Sequence, residues 1–254
     1  MGCGSSRKDL IQEEKAIVAM EYELHFVKHS CSYTDFILRK YNKQGFINSS
    51  HWGGVVSSLK IRDNQSVVCP NLQKFYEQLK SNDLLPLNRV LVLGILLSSG
   101  TPYNKARLLF EITDEDNAGS VSVETISGLL ELMLDLSINK LPLLVSDLAV
   151  PKPQVSEQDV LKYQDKLQSL LPRALPMLLG AVCGTVDKEA SVSKKYFCEK
   201  FQKEETGELT TPSGIRSWVY SRSNRLMPSI TLEKGLKANS GLEEDAETAM
   251  TSKN

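Results

Sequence analysis

Asp114-Glu115-Asp116-Asn117-Ala118-Gly119-Ser120-Val121-Ser122-Val123-Glu124-Thr125 is the stretch on which the fold turns. It is an acidic loop of twelve residues with a central glycine, and segments of helical period flank it on both sides. Upstream, Thr101-Pro102 provides a capping hydroxyl and a first-turn proline, after which Ala106, Leu109 and Phe110 share one helical face. Downstream, Ile126, Leu129, Leu130 and Met133 share another. Gly119 falls at loop position 6, where a sharp turn favours a residue without a Cβ. Val121, at position 8, suits a short β contact with a second loop.

The same frame recurs along the chain. Started at Lys40, it puts Phe36 four before the loop, Gly45 at position 6 and Ile47 at position 8. Trp52, Val55, Val56 and Leu59 then fall at positions 13, 16, 17 and 20. Started at Thr185, it puts Val192 at position 8, Phe197 at 13 and Phe201 at 17, behind an apolar helix over Leu175 to Val182. Between these, Phe75 to Leu79 and Val90 to Leu97 supply the two helices of a further module. Packing positions that recur at one spacing are the mark of an internal repeat. The expected fold is all-α, an array of paired helix-loop-helix modules. Modules near 36–59, 75–98 and 106–136 make a lobe over 31–138, and a degenerate module near 178–204 lies in a second lobe over 156–222.

Around this array the sequence predicts a helix over 9–30 and an irregular linker over 139–155, which holds Pro142, Pro151 and Pro153. An added helix follows over 161–171. A short terminal helix over 212–220 carries Trp218 as a packing anchor, and residues 227–254 read as a disordered tail with an acidic cluster at Glu243, Glu244, Asp245 and Glu247. Gly53-Gly54 at the start of the helix after the first loop points to tight packing there.

The frame resembles the EF-hand superfamily, and within it the N-myristoylated recoverin-like and calcineurin-B-like proteins. The resemblance covers about residues 30–205 and is strongest at 86–136. It implies helix-loop-helix units paired around shared cores, with a groove that holds an amphipathic helix of a partner protein. Trp52, Val55, Phe75, Val90, Phe110, Leu130 and Phe197 are expected to line the core or that groove. The resemblance also implies calcium, which takes six to eight oxygens with a bidentate glutamate at position 12. Asp114 and Asp116 fill positions 1 and 3, Ser120 offers a carbonyl at 7 and Ser122 a water contact at 9. Ala118 at position 5 and Thr125 at position 12 break the set, and Glu124 stands one residue early. A weak or vestigial calcium loop is therefore expected, outside the sensor range of about 10⁻⁷–10⁻⁵ M. The other loops are poorer: Lys40 and His51 hold positions 1 and 12 of the first, and Ala190 and Tyr196 hold 6 and 12 of the last.

Residues 1–8 read Met-Gly-Cys-Gly-Ser-Ser-Arg-Lys. Gly2 with Ser6 fits the myristoylation pattern, and Cys3 beside it is placed for palmitoylation. One myristoyl chain binds membranes only marginally, with a constant of about 10⁴ M⁻¹, so the Cys3 acyl group supplies the second signal. The expected location is the cytoplasmic face of a membrane, the plasma membrane foremost. A formal net charge of −1 lacks the basic footprint of a nucleic-acid binder. Five scattered cysteines without a Cys-x-x-Cys pair fit a reducing compartment. Neither a Gly-x-x-x-x-Gly-Lys loop nor a Gly-x-Ser-x-Gly elbow occurs, and His25 and His29 lack the glutamate of a metalloprotease helix. The expectation is a membrane-anchored adaptor or regulatory protein rather than an enzyme. A calcium sensor with a weak site at 114–125 and a membrane-attached enzyme are the alternatives.

Overall fold

A computed structural model describes residues 10–64, 69–145 and 155–225. The acylation sites Gly2 and Cys3, the remainder of the linker and the 227–254 tail lie outside them. The described residues are predominantly helical, with only short strands. In chain order the elements are α1 (Gln12–Glu23), α2 (Cys31–Lys40), β1 (Phe46–Ile47), α3 (Ser49–Leu59), α4 (Leu72–Leu79), β2 (Leu85–Pro86) and α5 (Leu87–Leu97). They continue with α6 (Pro102–Thr113), β3 (Ser120–Ser122), α7 (Val123–Leu134), α8 (Glu157–Cys183), β4 (Ser191–Ser193), α9 (Lys194–Lys200), α10 (Glu204–Gly207) and α11 (Pro212–Arg225).

The strands form two antiparallel ribbons, β1 with β2 and β3 with β4. Ile47 stands opposite Leu85, and Val121 opposite Val192. In sequence β1 lies between α2 and α3 and β2 between α4 and α5, as β3 lies between α6 and α7 and β4 between α8 and α9, and buried apolar residues of these helices belong to one core. Val90 to Leu97 of α5 is buried along its whole length, as expected of a helix with neighbours on every side. Three of the four helices that follow a strand start on side-chain caps: Asn48 accepts from the His51 amide, Ser122 from Thr125 and Ser193 from Tyr196, whereas α5 follows Pro86 without one.

α2 and α5 pack closely at Gly94. A Cβ there would stand 2.8 Å from Thr34 Cγ2 and 3.1 Å from Leu38 Cδ1, both buried. Gly128, on the exposed side of α7, has open space. Gly94→Ala is therefore expected to destabilise by about 1–3 kcal/mol through overpacking. Gly128→Ala is expected to stabilise by about 0.5–1 kcal/mol through helix propensity; urea unfolding of the two variants checks the opposite signs. Gly54 is tight in the same sense, its Cβ position lying 2.4 Å from Tyr41 Cε1, whereas Gly53 meets nothing. Of the glycine pair, only the second serves packing.

Four local expectations are corrected. The helix expected over 9–30 ends at Glu23: His25 takes a left-handed φ of 68° and a short 3₁₀ turn at 26–28 carries Phe26 into the core. The first loop is one residue shorter than the acidic loop. Asn48 caps α3 seven positions after the end-cap Tyr41, while Ser122 follows Asp114 by eight. Ile37 rather than Phe36 therefore takes the inward place of Phe110, and Phe36 is 61% exposed. The linker expected from 139 is helical up to 144: α7 runs into a π-helix at 135–140 and a 3₁₀ turn at 141–144, with Ile138, Leu141 and Leu144 fully buried. Finally, the helices expected over 161–171 and 175–182 are one, α8, with Pro172 and Pro176 inside it. Each proline removes a helical donor. The buried stripe Val160, Tyr163, Leu167, Leu170, Ala174 and Leu178 runs across both, so burial on one continuous face outweighs the lost bonds.

Candidate functional site

The seven residues expected in a core or groove are all buried: Trp52 and Leu130 at 8% and 2% exposure, Val55, Phe75, Val90, Phe110 and Phe197 at 1% or less. They are core. Trp52 packs against Tyr76 with tilted rings and centroids 5.1 Å apart, and Phe197 contacts both Phe110 and Phe201 at 5.4 and 4.9 Å.

The acidic loop closes on itself. Asp114, nearly buried at the end of α6, accepts the Gly119 amide on Oδ2 at 3.1 Å, while its buried Oδ1 has no partner. Asp116 Oδ1 accepts from the Ala118 amide at 3.3 Å. Ser122 Oγ caps α7 and lies 2.9 Å from Thr125 Oγ1, so the side chains at positions 9 and 12 are already engaged with each other. With Ala118 at position 5 and a hydroxyl at 12, this donor set does not complete a calcium shell, and Asp114 Oδ1 is its one buried oxygen left to offer. No group of three or more His, Cys, Asp or Glu side chains is gathered for a metal among the described residues. In the paired loop, the hydroxyl of Tyr196 at position 12 lies against Gly184, 2.4 Å from where a Cβ would stand. The side chain at that position is an aromatic ring and not a carboxylate.

Beside the acidic loop is an open cleft of about 770 Å³, lined by Arg39, Phe46, Leu87, Leu91, Ile112 and Asp114 among others. Several of its charges are already matched: Arg39 pairs with Asp35, and Glu111 with Arg107 and Lys194 at 2.7 Å each.

The site that sequence periodicity missed lies between the two ends of the described chain. Arg216 of α11 is fully buried, and its Nε donates to both carboxylate oxygens of Glu14 at 3.1 and 2.8 Å. Its Nη2 reaches Glu14 Oε1 at 2.7 Å and stands 2.8 Å from Glu21 Oε1, an ion contact without hydrogen-bond alignment. Nη1 donates to the Ser137 carbonyl at 2.9 Å, and Tyr163 Oη donates to Glu14 Oε2 at 3.2 Å. The π-helix matters here. Its Ser137 carbonyl goes to Arg216 and its Asn139 carbonyl to Gln164 Nε2 at 3.1 Å, so side chains of α11 and α8 serve its backbone acceptors. Two carboxylates face one guanidinium in a buried place. Burial raises the Glu21 carboxyl above its ordinary value, against the pull of Arg216.

Other buried titratable groups are structural. Burial pushes the thiols of Cys69 and Cys183 up to about 11 and raises that of Cys198, so they are poor nucleophiles. His29 Nε2 contacts the Leu59 carbonyl and His25 Nδ1 lies 3.4 Å from that of Lys60, where each meets backbone. Lys105, 3% exposed, donates to the carbonyls of Leu96 and Thr210 at 2.8 and 3.1 Å. It thereby ties the end of α5 to the turn before α11. Burial pushes its ammonium down to about 8, from 10.5. The unfolded chain thus holds this proton more tightly, and between pH 8 and 10.5 the residue makes the folded state gain with rising pH. Unfolding free energies of wild type and Lys105→Met should diverge in that window, with wild type gaining about 3 kcal/mol on the variant.

No protein-family model, no curated protein and no solved structure matches the chain.

Proposed function

We propose that the chain is a membrane-anchored, EF-hand-like adaptor or regulatory protein that holds an amphipathic helix of a partner protein, with little or no calcium. The observation that carries this reading is the register of the two ribbons. Position 8 of each loop faces an apolar residue of its neighbour, Ile47 to Leu85 and Val121 to Val192, while hydroxyls and an amide at position 9 cap helices. The loops act as joints between packed helices, and the oxygen ligands have been given up while the joint is kept.

Its mechanism is positional. Myristoyl on Gly2 and palmitoyl on Cys3 concentrate the protein at the cytoplasmic face of a membrane, and the helical body presents a site for the partner. In this reading acyl chains are the means of attachment; no helix among the described residues is long and apolar enough to cross a membrane. A second reading, a calcium sensor with a weak site at 114–125, is favoured by one observation, the unpartnered buried Oδ1 of Asp114.

Affinity capture from a membrane fraction with wild type and Gly2→Ala tests the adaptor. Recovery of one stoichiometric protein with wild type, lost with Gly2→Ala, is the expected result. Turnover of a substrate by the purified chain, with no such protein recovered, would sink it.

A further inference from the structure

α1 lies on a seat made by the 141–144 turn and α8. Its inward residues are Glu14, Ile17, Met20 and Glu21, followed by Leu24. Glu14 and Glu21 are seven residues apart, two turns along one face, with Ile17 and Met20 between them. This is how an amphipathic helix is read by a groove, with apolar anchors and two carboxylates meeting one fixed cation. The cation belongs to the seat: Arg216 is held in place by the Ser137 carbonyl, independently of α1.

The ends of α1 are less well secured than its middle. Ile11 gives it no side-chain cap, although Glu13 and Glu14 suit its first turn; its last turn has no basic residue, so Glu21 and Glu23 oppose the helix dipole there, and Glu23 is paired with Arg62. A helix of twelve residues with these ends forms only when docked. Its docking also buries one carboxylate more than the guanidinium can match, and burying an unmatched charge lowers the net gain from the contact. A seat that is shaped for a helix, and filled by one with poor ends and excess charge, suits exchange.

We propose that α1 is a built-in occupant of the partner site. Its seat on α8 and Arg216 receives in its place an acidic amphipathic helix of the partner, with carboxylates two turns apart around an apolar pair. The proposal rests on the adaptor reading and adds where the partner binds and what it carries. Because α1 follows closely on the acylated residues, its release also changes how the body hangs from the membrane.

The probe is a labelled peptide of residues 10–26, with Glu or with Gln at positions 14 and 21, titrated by fluorescence anisotropy into full-length chains. In wild type the tethered α1 competes at high effective concentration, so the acidic peptide binds weakly. Glu14→Gln/Glu21→Gln in the chain frees the seat, and the acidic peptide then binds at least about tenfold more tightly, while the Gln peptide gains nothing. Equal binding of both peptides, or no gain in the double variant, overturns the proposal. Wild-type hydrogen exchange provides a check that does not depend on the variant folding. α1 amides should exchange through local opening while α8 stays protected, and α1 exchange only on global unfolding overturns the proposal equally. Failure of the adaptor reading appears elsewhere, as the absence of a Gly2-dependent partner in the membrane capture, and leaves the peptide measurement intact.

Discussion

Arg216→Met is expected to lower the unfolding free energy by about 3–5 kcal/mol, because it leaves Glu14 and Glu21 buried as like charges without their cation. The Ser137 carbonyl loses its Nη1 donor in the same step. Removing all three charges together, with Glu14→Gln, Glu21→Gln and Arg216→Met, should recover most of that loss, since the penalty belongs to the unmatched carboxylates rather than to the missing pair. Arg222→Met is the control. That arginine is 39% exposed and pairs with an exposed Glu205, so its loss should stay within about 1 kcal/mol. The pH dependence has a defined sign. Glu21 binds its proton more tightly folded than unfolded, so this group favours the folded state below the ordinary glutamate value of 4.5 and loses that advantage as pH rises through its raised value. The Arg216→Met penalty should accordingly shrink toward acid pH. Guanidinium unfolding curves of the four proteins at two pH values measure both effects.

Phe110→Ala should cost a similar amount, about 3–5 kcal/mol, by emptying a fully buried ring position against Phe197. The informative comparison is with the first module. On the twelve-residue frame, Phe36 holds the place that Phe110 holds, and its truncation would be as costly. The shortened first loop turns Phe36 to solvent and Ile37 inward, at 61% and 4% exposure. Phe36→Ala should therefore stay within about 0.5 kcal/mol, as for an ordinary surface substitution. Ile37→Ala should cost about 2–5 kcal/mol. A large loss from Phe36→Ala would restore the longer loop.

Much of the helical plan was legible because it is written in local chemistry. Thr101-Pro102 starts α6, Ser122 caps α7, and Gly119 takes its left-handed turn at a φ of 76°. The alternation around Val121 and Val192 gives strands that meet in register. What failed was context. A one-residue change in loop length is invisible to a frame that fixes glycine and position 8, yet it rotates the incoming helix by about a hundred degrees and exchanges Phe36 for Ile37. Pro172 and Pro176 read as breaks because their cost is local, while the stripe that pays it is spread along the whole of α8.

The buried ion cluster was the least legible feature. Glu14, Glu21 and Arg216 each read as solvated, since charged residues seldom lie fully buried unless paired, and 202 positions separate Glu14 from its arginine. The sequence does hold a trace of it. Glu14 and Glu21 share the face of Ile17 and Met20, and Arg216 sits between Ile215 and Trp218 on an inward stretch. A carboxylate at a core position of one terminal helix and an arginine at a core position of the other is a signal worth reading as a pair.

The central claim is that the loops serve as joints for packing and partner binding rather than as calcium sites, and calorimetric titration of the full chain with calcium at physiological magnesium tests it most directly. The account predicts no saturable heat in the micromolar range and no change on Asp114→Ala. Micromolar binding that Asp114→Ala abolishes would contradict it and make the 114–125 loop a working sensor.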